Sequence, residues 1–499
     1  MSENYIKKLL KQTSIYFSSG IIITIASFIT FPIWTRVFTE TEYGQMSLAT
    51  TTLGVITVFS KFGIQRAVLR FYSEFKANKR NLDITYYYTT SFLSVGVISL
   101  IIALVFLLVV AFYPNAQLDT QYIKILYVLP LLIFFDALNS IFFMFLRAEE
   151  NVKLYNMIGI IAKYLAVLVS LLFVLVFKLG LIGIFIGMAL IDGLTALFLF
   201  IKFLIQGKIK PKNISFSLFK ELVAYGVPLI GFELSGILLT SGDRFIIQHF
   251  LGSAAVGIYS ASYSMAKYFV EFFSAAFRMA VMPIFMSIWE KKGREETQAF
   301  LSSVLKIYFM IGIPLIFAVS FLGRDLIILF ASEKFEEGCV IIPFIVTGYV
   351  ISSANFIYGA GLYLSKKTTS LLIINVISTI INIILNFLLI PIWGLYGAAI
   401  TTLFAFIIEV TLLLIISSRT VSVKIQTNSL IKYIAISIVM VFVMLSIQNL
   451  GAVQIIVRII AGFAIYGSGI LLLEAQVRSK TRLLFQRIFF KIGLYKLRS

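Results

Sequence analysis

The sequence predicts an all-α polytopic membrane protein with about 14 transmembrane helices, built as two parallel-repeat six-helix lobes plus two C-terminal helices. Three observations predict it. Apolar runs of about 20 residues, the length that crosses a hydrocarbon layer, recur along the whole chain. Basic residues gather in every second connection between the runs. Two short motifs return after 213 or 214 positions.

Composition sets the class. The 499 residues are 60% hydrophobic and 13% charged, whereas a soluble domain is about a quarter charged. A net charge of +19 would point to nucleic acid in a soluble chain. In a membrane chain it points to positive charge kept on the cytoplasmic face, so no nucleic-acid partner is expected. The single cysteine, Cys339, excludes an internal disulfide and a Cys-based zinc site, and the single histidine, His249, argues against a His cluster. No phosphate-binding loop of the ATPase type occurs. We therefore expect no enzyme activity, no catalytic residue, no metal site and no cofactor.

Spans are expected near 14–35, 44–65, 87–112, 122–146, 154–177, 181–203 and 221–242, then near 253–288, 301–323, 339–363, 370–390, 394–417, 430–448 and 451–473. The eighth is too long for a bilayer and should project from it. Lys7, Lys8 and Lys11 precede the first run, which is too long for a signal peptide and reads as an uncleaved span. With the N-terminus inside, the inside segments hold most of the 42 basic residues, and the outside ones hold only Arg36, Lys124, Lys178, Arg244, Arg324 and Lys334. One helix more or fewer would scramble that asymmetry, so both termini are expected to be cytoplasmic. The tail 475–499 carries basic residues among Leu, Ile and Phe, with no acidic ones. It reads as an amphipathic helix on anionic membrane lipids, or as a plain positive anchor.

The repeat supplies the architecture. EYGQMS (42–47) corresponds to AVGIYS (255–260), and GLIG (180–183) to GLYG (394–397). The expected domains are a six-helix lobe over 1–207, a cytoplasmic linker 208–220, a second lobe over 221–418, two further helices in 419–474 and the tail. An even number of spans per unit leaves the lobes parallel, with substrate bound between them and access alternating by rocking. Pro228, Gly226, Gly231 and Gly236 mark the seventh helix either as bent or as closely packed, as Gly183 and Gly187 mark the sixth.

The stretch SMAKYFVEFFSAAFRMA (264–280) places Lys267, Glu271 and Arg278 in an apolar helix. At about 100° per residue the three share one face, together with Ser260, Ser264 and Ser274. The positions 213 earlier are Ser47, Thr51, Gly54, Val58, Lys61 and Gln65, again a mostly polar stripe. A charge at the bilayer centre costs about 2.5–3.5 kcal/mol on insertion scales unless it faces water or a partner. The stripes are therefore expected to line a cavity between the lobes. The alternatives are a self-neutralising Lys267–Glu271 pair, and snorkelling of Arg278 and Lys61. Further charges within spans are Asp136, Lys163, Asp192, Glu233, Glu409 and Arg458. If transport is coupled to H+ or Na+, Glu233 and Asp136 are the candidates; Asp192 and Glu409 read as packing residues.

The segment PIWTRVFTETEYGQMSLATTTLGVITVFSKFGIQRAVLRFY (32–72), with Arg36, Tyr43-Gly44, Gly63, Ala67 and Arg70, resembles the polysaccharide, or lipid-linked oligosaccharide (O-antigen-type repeat unit), flippase family. That family lies in the multidrug/oligosaccharidyl-lipid/polysaccharide exporter superfamily. The resemblance implies that an undecaprenyl-diphosphate-linked repeat unit is flipped across a bacterial cell membrane, with a polysaccharide polymerase and other glycan-assembly proteins as partners. Lys61, Lys267, Glu271, Arg278 and Arg36 are then the candidate residues for the diphosphate and glycan. A drug or metabolite exporter and a lipid II flippase are the alternatives. An integral glycosyltransferase would need catalytic groups in a large outer loop, and the largest, near 324–338, is short.

Overall fold

The computed structural model describes residues 20, 22–77, 82–112, 119–448, 453–474, 478 and 479. Every element among them is helical. Helix α1 spans Ile22–Val37. It is followed by α2 (Glu40–Lys61), α3 (Ile64–Lys76), α4 (Ile84–Phe112), α5 (Thr120–Ala148), α6 (Val152–Leu171, with a π-helical end Leu172–Val176) and α7 (Ile182–Ile205). The second half holds α8 (Phe216–Ser241), α9 (Asp243–Lys292), α10 (Arg294–Phe321), α11 (Gly323–Phe330) and a 3-10 helix (Glu333–Ile341). It continues with α12 (Ile342–Ser352), α13 (Asn355–Tyr358), α14 (Ala360–Leu364), α15 (Thr368–Ser417), α16 (Thr427–Ser446) and α17 (Gln454–Leu473).

Among the described residues, eleven stretches are long and apolar enough to cross a membrane. Two of them hold two spans each: Phe216–Lys292, whose backbone leaves the helix at Gly252, and Thr368–Ser417, at Gly394. With α1 as the first span, the described helices accommodate about fourteen. The eighth span, 253–292, is about 60 Å long at 1.5 Å per residue, about twice the hydrocarbon thickness. Two expected spans are subdivided. The second bends at Phe62–Gly63 and runs on to Lys76, and the tenth is a chain of four short helical pieces. The basic tail, Lys7, Lys8 and Lys11 lie outside the described residues, save Arg478 and Ser479 of the tail.

The helices sort into two sets, α2–α7 around α5, and α8–α15 around α9 and α15, with α16 and α17 laid against α10. The sets cross where α2 meets α9, and there the repeat explains the packing. A capping box orders the first turn of α2: Thr39 Oγ accepts from Glu42 N at 3.2 Å, and the Glu42 carboxylate accepts from Thr39 N at 2.9 Å. Gly44 in this helix abuts the Ser253 carbonyl, while Gly257 abuts the Glu40 carbonyl; a Cβ on either would collide with it. Glu40 and Ser253 are repeat equivalents, as are Gly44 and Gly257. One turn on, the equivalents Ser47 and Ser260 share a 2.7 Å hydrogen bond. Each half offers the other the same surface, as in a two-fold isologous contact. The second motif also matches in shape. Gly180 and Gly394 take positive φ, 65° and 57°, and Gly183 and Gly397 pack on the backbone of the preceding helix at Phe173 and Leu389.

We call the end with the connections 205–216, 292–294, 364–368 and 417–427 the basic end, and the opposite one the far end. The connection 208–215 is not a free tether. Lys208 pairs with Glu149 at 2.6 Å, Ile209 is buried, and the Lys210 and Ser215 amides donate to Thr89 and Thr90 of α4. Helix α17 is pinned at both ends, by Arg458–Asp325 at 3.0 Å and Lys306–Glu474 at 2.8 Å.

The crossing predicts a specific sensitivity. Gly44→Ala and Gly257→Ala should each lower the thermal unfolding midpoint, at an overpacking cost of about 1–3 kcal/mol. Gly236→Ala, with nothing within 4 Å of its added carbon, should not. Equal midpoints for all three variants would contradict the backbone-to-backbone crossing.

Candidate functional site

Charged side chains concentrate on the basic side of the crossing. Along α9, Lys267, Glu271 and Arg278 lie about 10, 16 and 27 Å beyond Ser260. Lys267 and Glu271 are half-buried and Arg278 is exposed. Among the described residues none of the three has an ion-pair partner within 4 Å, so Lys267 and Glu271 do not neutralise each other. Ser260 serves the crossing, and Ser274 is fully buried with its hydroxyl unpartnered. Ser264 is half-buried, so the stripe on α9 is wet at its charged members and in part at Ser264.

The matching stripe on α2 is packed rather than wet. Thr51 is buried and donates to the Ser47 carbonyl, Gly54 lies against Ile237 of α8, and Val58 is buried. Lys61, expected beside Lys267 and Arg278, instead pairs with Asp136 of α5 at 3.0 Å. The cause is the kink that follows it. Phe62 and Gly63 both adopt left-handed backbone, and Gly63 meets the Gly226 backbone of α8 so closely that no side chain fits at either glycine. The chain turns there, so Lys61 faces its own set of helices while Gln65 and Arg66 reach α8. Arg66 Nη2 pairs with Glu233 at 3.3 Å and Gln65 Nε2 donates to the same carboxylate oxygen at 3.3 Å. Both carboxylates named for ion coupling, Asp136 and Glu233, therefore carry basic partners. Arg66 is not singled out by the sequence; the Phe62–Gly63 break inside the helix is the signal that could have pointed to it.

Arg36 has a different place. At the far end its guanidinium donates to the carbonyls of Pro32 at 3.0 Å and, across to α11, Leu329 at 2.6 Å. Lys334 approaches the carbonyls of Arg36 and Phe38 at 3.4 Å. Arg244, expected in an outer loop, is buried at the crossing. Its Nε donates to Ser47 Oγ at 3.1 Å, its Nη1 to Asp243 at 3.1 Å, and its plane lies 4.7 Å from the Tyr263 ring centre. Tyr259 donates to the other Asp243 oxygen at 2.5 Å. Asp243–Arg244 balances its own charge, which lets an ion pair sit inside the contact between the halves.

Beside the α9 stripe runs an apolar groove of about 870 Å³. Phe28 of α1, Phe272 of α9, Pro314 of α10, Met440 of α16 and Phe463 of α17 line it, and Glu271 is the sole charged side chain on its wall among the described residues. The pinned helix α17 holds the groove open against α10, where Tyr466 donates to the Met310 carbonyl at 2.7 Å. One helix, α9, thus presents unpaired cations together with a long apolar wall.

Residues 9–289 match the family described as polysaccharide biosynthesis protein, over more than half of the chain. The chain belongs to that family. Residues 228–388 also match the MatE family, so both halves point to the superfamily that the segment 32–72 resembles. The chain is 23% identical over 252 residues to the probable low-salt glycan biosynthesis flippase Agl15 of Haloferax volcanii, which is 50% of this chain and 53% of that protein. It therefore spans about half the length of that relative. To the capsular polysaccharide biosynthesis protein CapF of Staphylococcus aureus it is 21% identical over 400 residues, 79% of this chain and 95% of CapF. The structure resembles that of the lipid II flippase MurJ in an inward closed conformation with a TM-score of 0.74 and 17% identity, covering 94% of this chain and 99% of MurJ. That last likeness is one of fold.

A double-mutant cycle tests the bridge at the kink. Glu233 and Arg66 side chains are 24% and 42% exposed, so their coupling should be modest, about 0.2–1 kcal/mol in thermal stability. Arg66→Ala together with Glu233→Gln should be less destabilising than the two single effects added. Strict additivity would show that the pair carries no energy.

Proposed function

We propose that this multi-pass membrane protein flips an undecaprenyl-diphosphate-linked oligosaccharide repeat unit from the cytoplasmic to the outer leaflet, by alternating access, for cell-surface polysaccharide assembly. The observation that carries this reading is the pairing on α9 of unpaired Lys267 and Arg278 with the adjoining apolar groove. A polyprenyl diphosphate has an anionic head that needs cations in a wet space and a tail that needs an apolar track, side by side. Arg278 is exposed toward the basic end and Lys267 lies about three turns deeper, so they suit successive positions of one headgroup rather than a single clamp. Arg offers a planar fork to phosphate oxygens and Lys a mobile point charge.

In this reading the basic end faces the cytoplasm of a bacterial cell, with both termini there. The partners are the lipid-linked oligosaccharide, anionic lipids at the tail, and a polysaccharide polymerase that receives the flipped unit. Lipid II carries the same diphosphate and tail, and the MurJ-like fold favours it as the second reading. Competition between the two lipids in one assay separates them.

The test is flipping of a fluorescent undecaprenyl-diphosphate oligosaccharide in proteoliposomes. A charge-assisted contact is worth about 1.5–3 kcal/mol. Lys267→Ala and Arg278→Ala should therefore each slow flipping about tenfold to a hundredfold at normal protein abundance, and Arg278→Lys should recover part of it. Because Lys267 and Glu271 are not paired, adding Glu271→Ala to Lys267→Ala should not restore flipping. Unchanged flipping after loss of both cations would contradict the reading.

A further inference from the structure

The chain between α10 and α12 departs from the repeat. Residues 333–341 form a 3-10 helix, whereas the stretch 213 positions earlier, 120–128, is plain α-helix at the start of α5. The piece 323–341 is seated on the second half. Leu326, Ile327, Ala331, Phe335 and Ile341 are buried. Phe335, Gly338 and Ile341 recur at every third residue, the period of a 3-10 helix, so one edge of it faces inward. Gly338 lies so close to Ser262 and the Ile258 carbonyl of α9 that a side chain there would collide with them. Asp325 ties the start of α11 to Arg458 of α17 at 3.0 Å, and Arg324 of α11 pairs with Glu336 of the 3-10 helix at 2.6 Å.

The same piece reaches across to the first half. A helix leaves the carbonyls of its last turn without partners inside the helix, and cations are favoured there. Arg36, in the last turn of α1, donates to the Leu329 carbonyl in the last turn of α11 at 2.6 Å. Lys334 of the 3-10 helix approaches the Arg36 and Phe38 carbonyls at the end of α1, each at 3.4 Å. Each half therefore caps a helix end of the other. Beside these caps Phe335 meets Tyr43 of α2 edge to face, with ring centres 5.5 Å apart, and Phe330 meets Phe28 of α1 at 5.3 Å. None of these contacts pairs equivalent residues of the repeat, so they are separate from the two-fold crossing.

We propose that residues 323–341 form a lid, carried by the second half and latched to the first by Arg36 and Lys334, and that this latch releases when the far end opens. Cation-to-carbonyl caps suit such a task. Arg36 and Lys334 are both exposed, so water takes over each cation and each carbonyl when the caps part, and no buried charge is stranded. A buried ion pair at the same place would leave two charges without partners on opening. Phe335 and Tyr43 are buried, and their contact sets the register in which the lid closes. The latch stands on these contacts alone, whereas its release rests on the alternating access of the reading above.

Thiol accessibility in the purified full-length protein, held in lipid nanodiscs, tests the latch. Ala331 is fully buried within the lid, so Ala331→Cys in a Cys339→Ala background should react slowly with a polar maleimide. Adding Arg36→Ala and Lys334→Ala should speed that reaction about threefold to tenfold, because labelling follows the opened population. Arg36→Lys, which keeps a donor, should speed it less than Arg36→Ala. Ala137→Cys, fully buried in α5, reports general loosening and should not change. An unchanged Ala331→Cys rate would overturn the latch, and so would equal acceleration at both cysteines. Flipping tests the release. Arg36→Cys with Leu329→Cys, two exposed positions, can be joined by a short cleavable cross-linker in proteoliposomes. The joined protein should stop flipping a fluorescent undecaprenyl-diphosphate oligosaccharide and recover on cleavage. Full flipping while joined would overturn the release step. If the unmodified protein does not flip that lipid, the substrate reading falls, and the Ala331→Cys rates still decide the latch.

Discussion

The structure depends on one close approach, that of Gly44 to Gly257. Two backbones of duplicated sequence touch there with no side chain between them, and the contact is reciprocal: each glycine meets the carbonyl of the other's equivalent neighbour. A two-fold contact of this kind forces like residues together at the axis, which is why Ser47 binds Ser260. Hydroxyl to hydroxyl is one of the few self-complementary polar pairs, because each group can donate or accept. A carboxylate or an amine at that position would meet its own charge.

Other features follow from the crossing. Arg244 and Asp243 bring an ion pair into the contact without net charge, and Arg244 donates to Ser47, so the two halves share one buried polar network. Arg36 and Lys334 reinforce the same end through backbone carbonyls. With these contacts gathered toward the far end, charges without partners are left toward the basic end, and α9 carries them on the length that runs past the crossing. The apolar groove lies on the same helix, so one element presents both the cations and the apolar wall. Helices α16 and α17, pinned by Arg458 and Glu474, complete the groove wall.

Much of this was legible in the chain. Apolar run length and the alternation of basic segments led to about fourteen spans, and EYGQMS with AVGIYS marked what proved to be the contact itself. The expectation that both stripes line a cavity was less accurate. Helical angle places residues on a face, but it does not say what that face meets. Ser274 and Val58 lie on the expected stripes and are buried. Lys61 has the right register, yet the left-handed pair Phe62–Gly63 turns the helix directly after it and leaves it with Asp136. Arg36 and Arg244 were placed by segment, as outer residues, and segment membership says nothing about burial at a contact between halves. Arg66 escapes a segment-by-segment reading for the same reason. Glu409, expected to pack, is buried and accepts a hydrogen bond from Ser352, which sits at a helix break at 353–354 that an apolar run does not show.

If the chain moves its substrate by alternating access as proposed, the Ser47–Ser260 crossing, which joins the two halves toward the far end, must part for substrate to leave. Cysteines at both positions in a Cys339→Ala background put it to the most direct test. Their side-chain oxygens are 2.7 Å apart in the native pair, so the thiols should form a disulfide readily under mild oxidation. The account predicts that the oxidised protein binds lipid-linked oligosaccharide but does not flip it, and that a reductant restores flipping. Full flipping by fully cross-linked protein would contradict it.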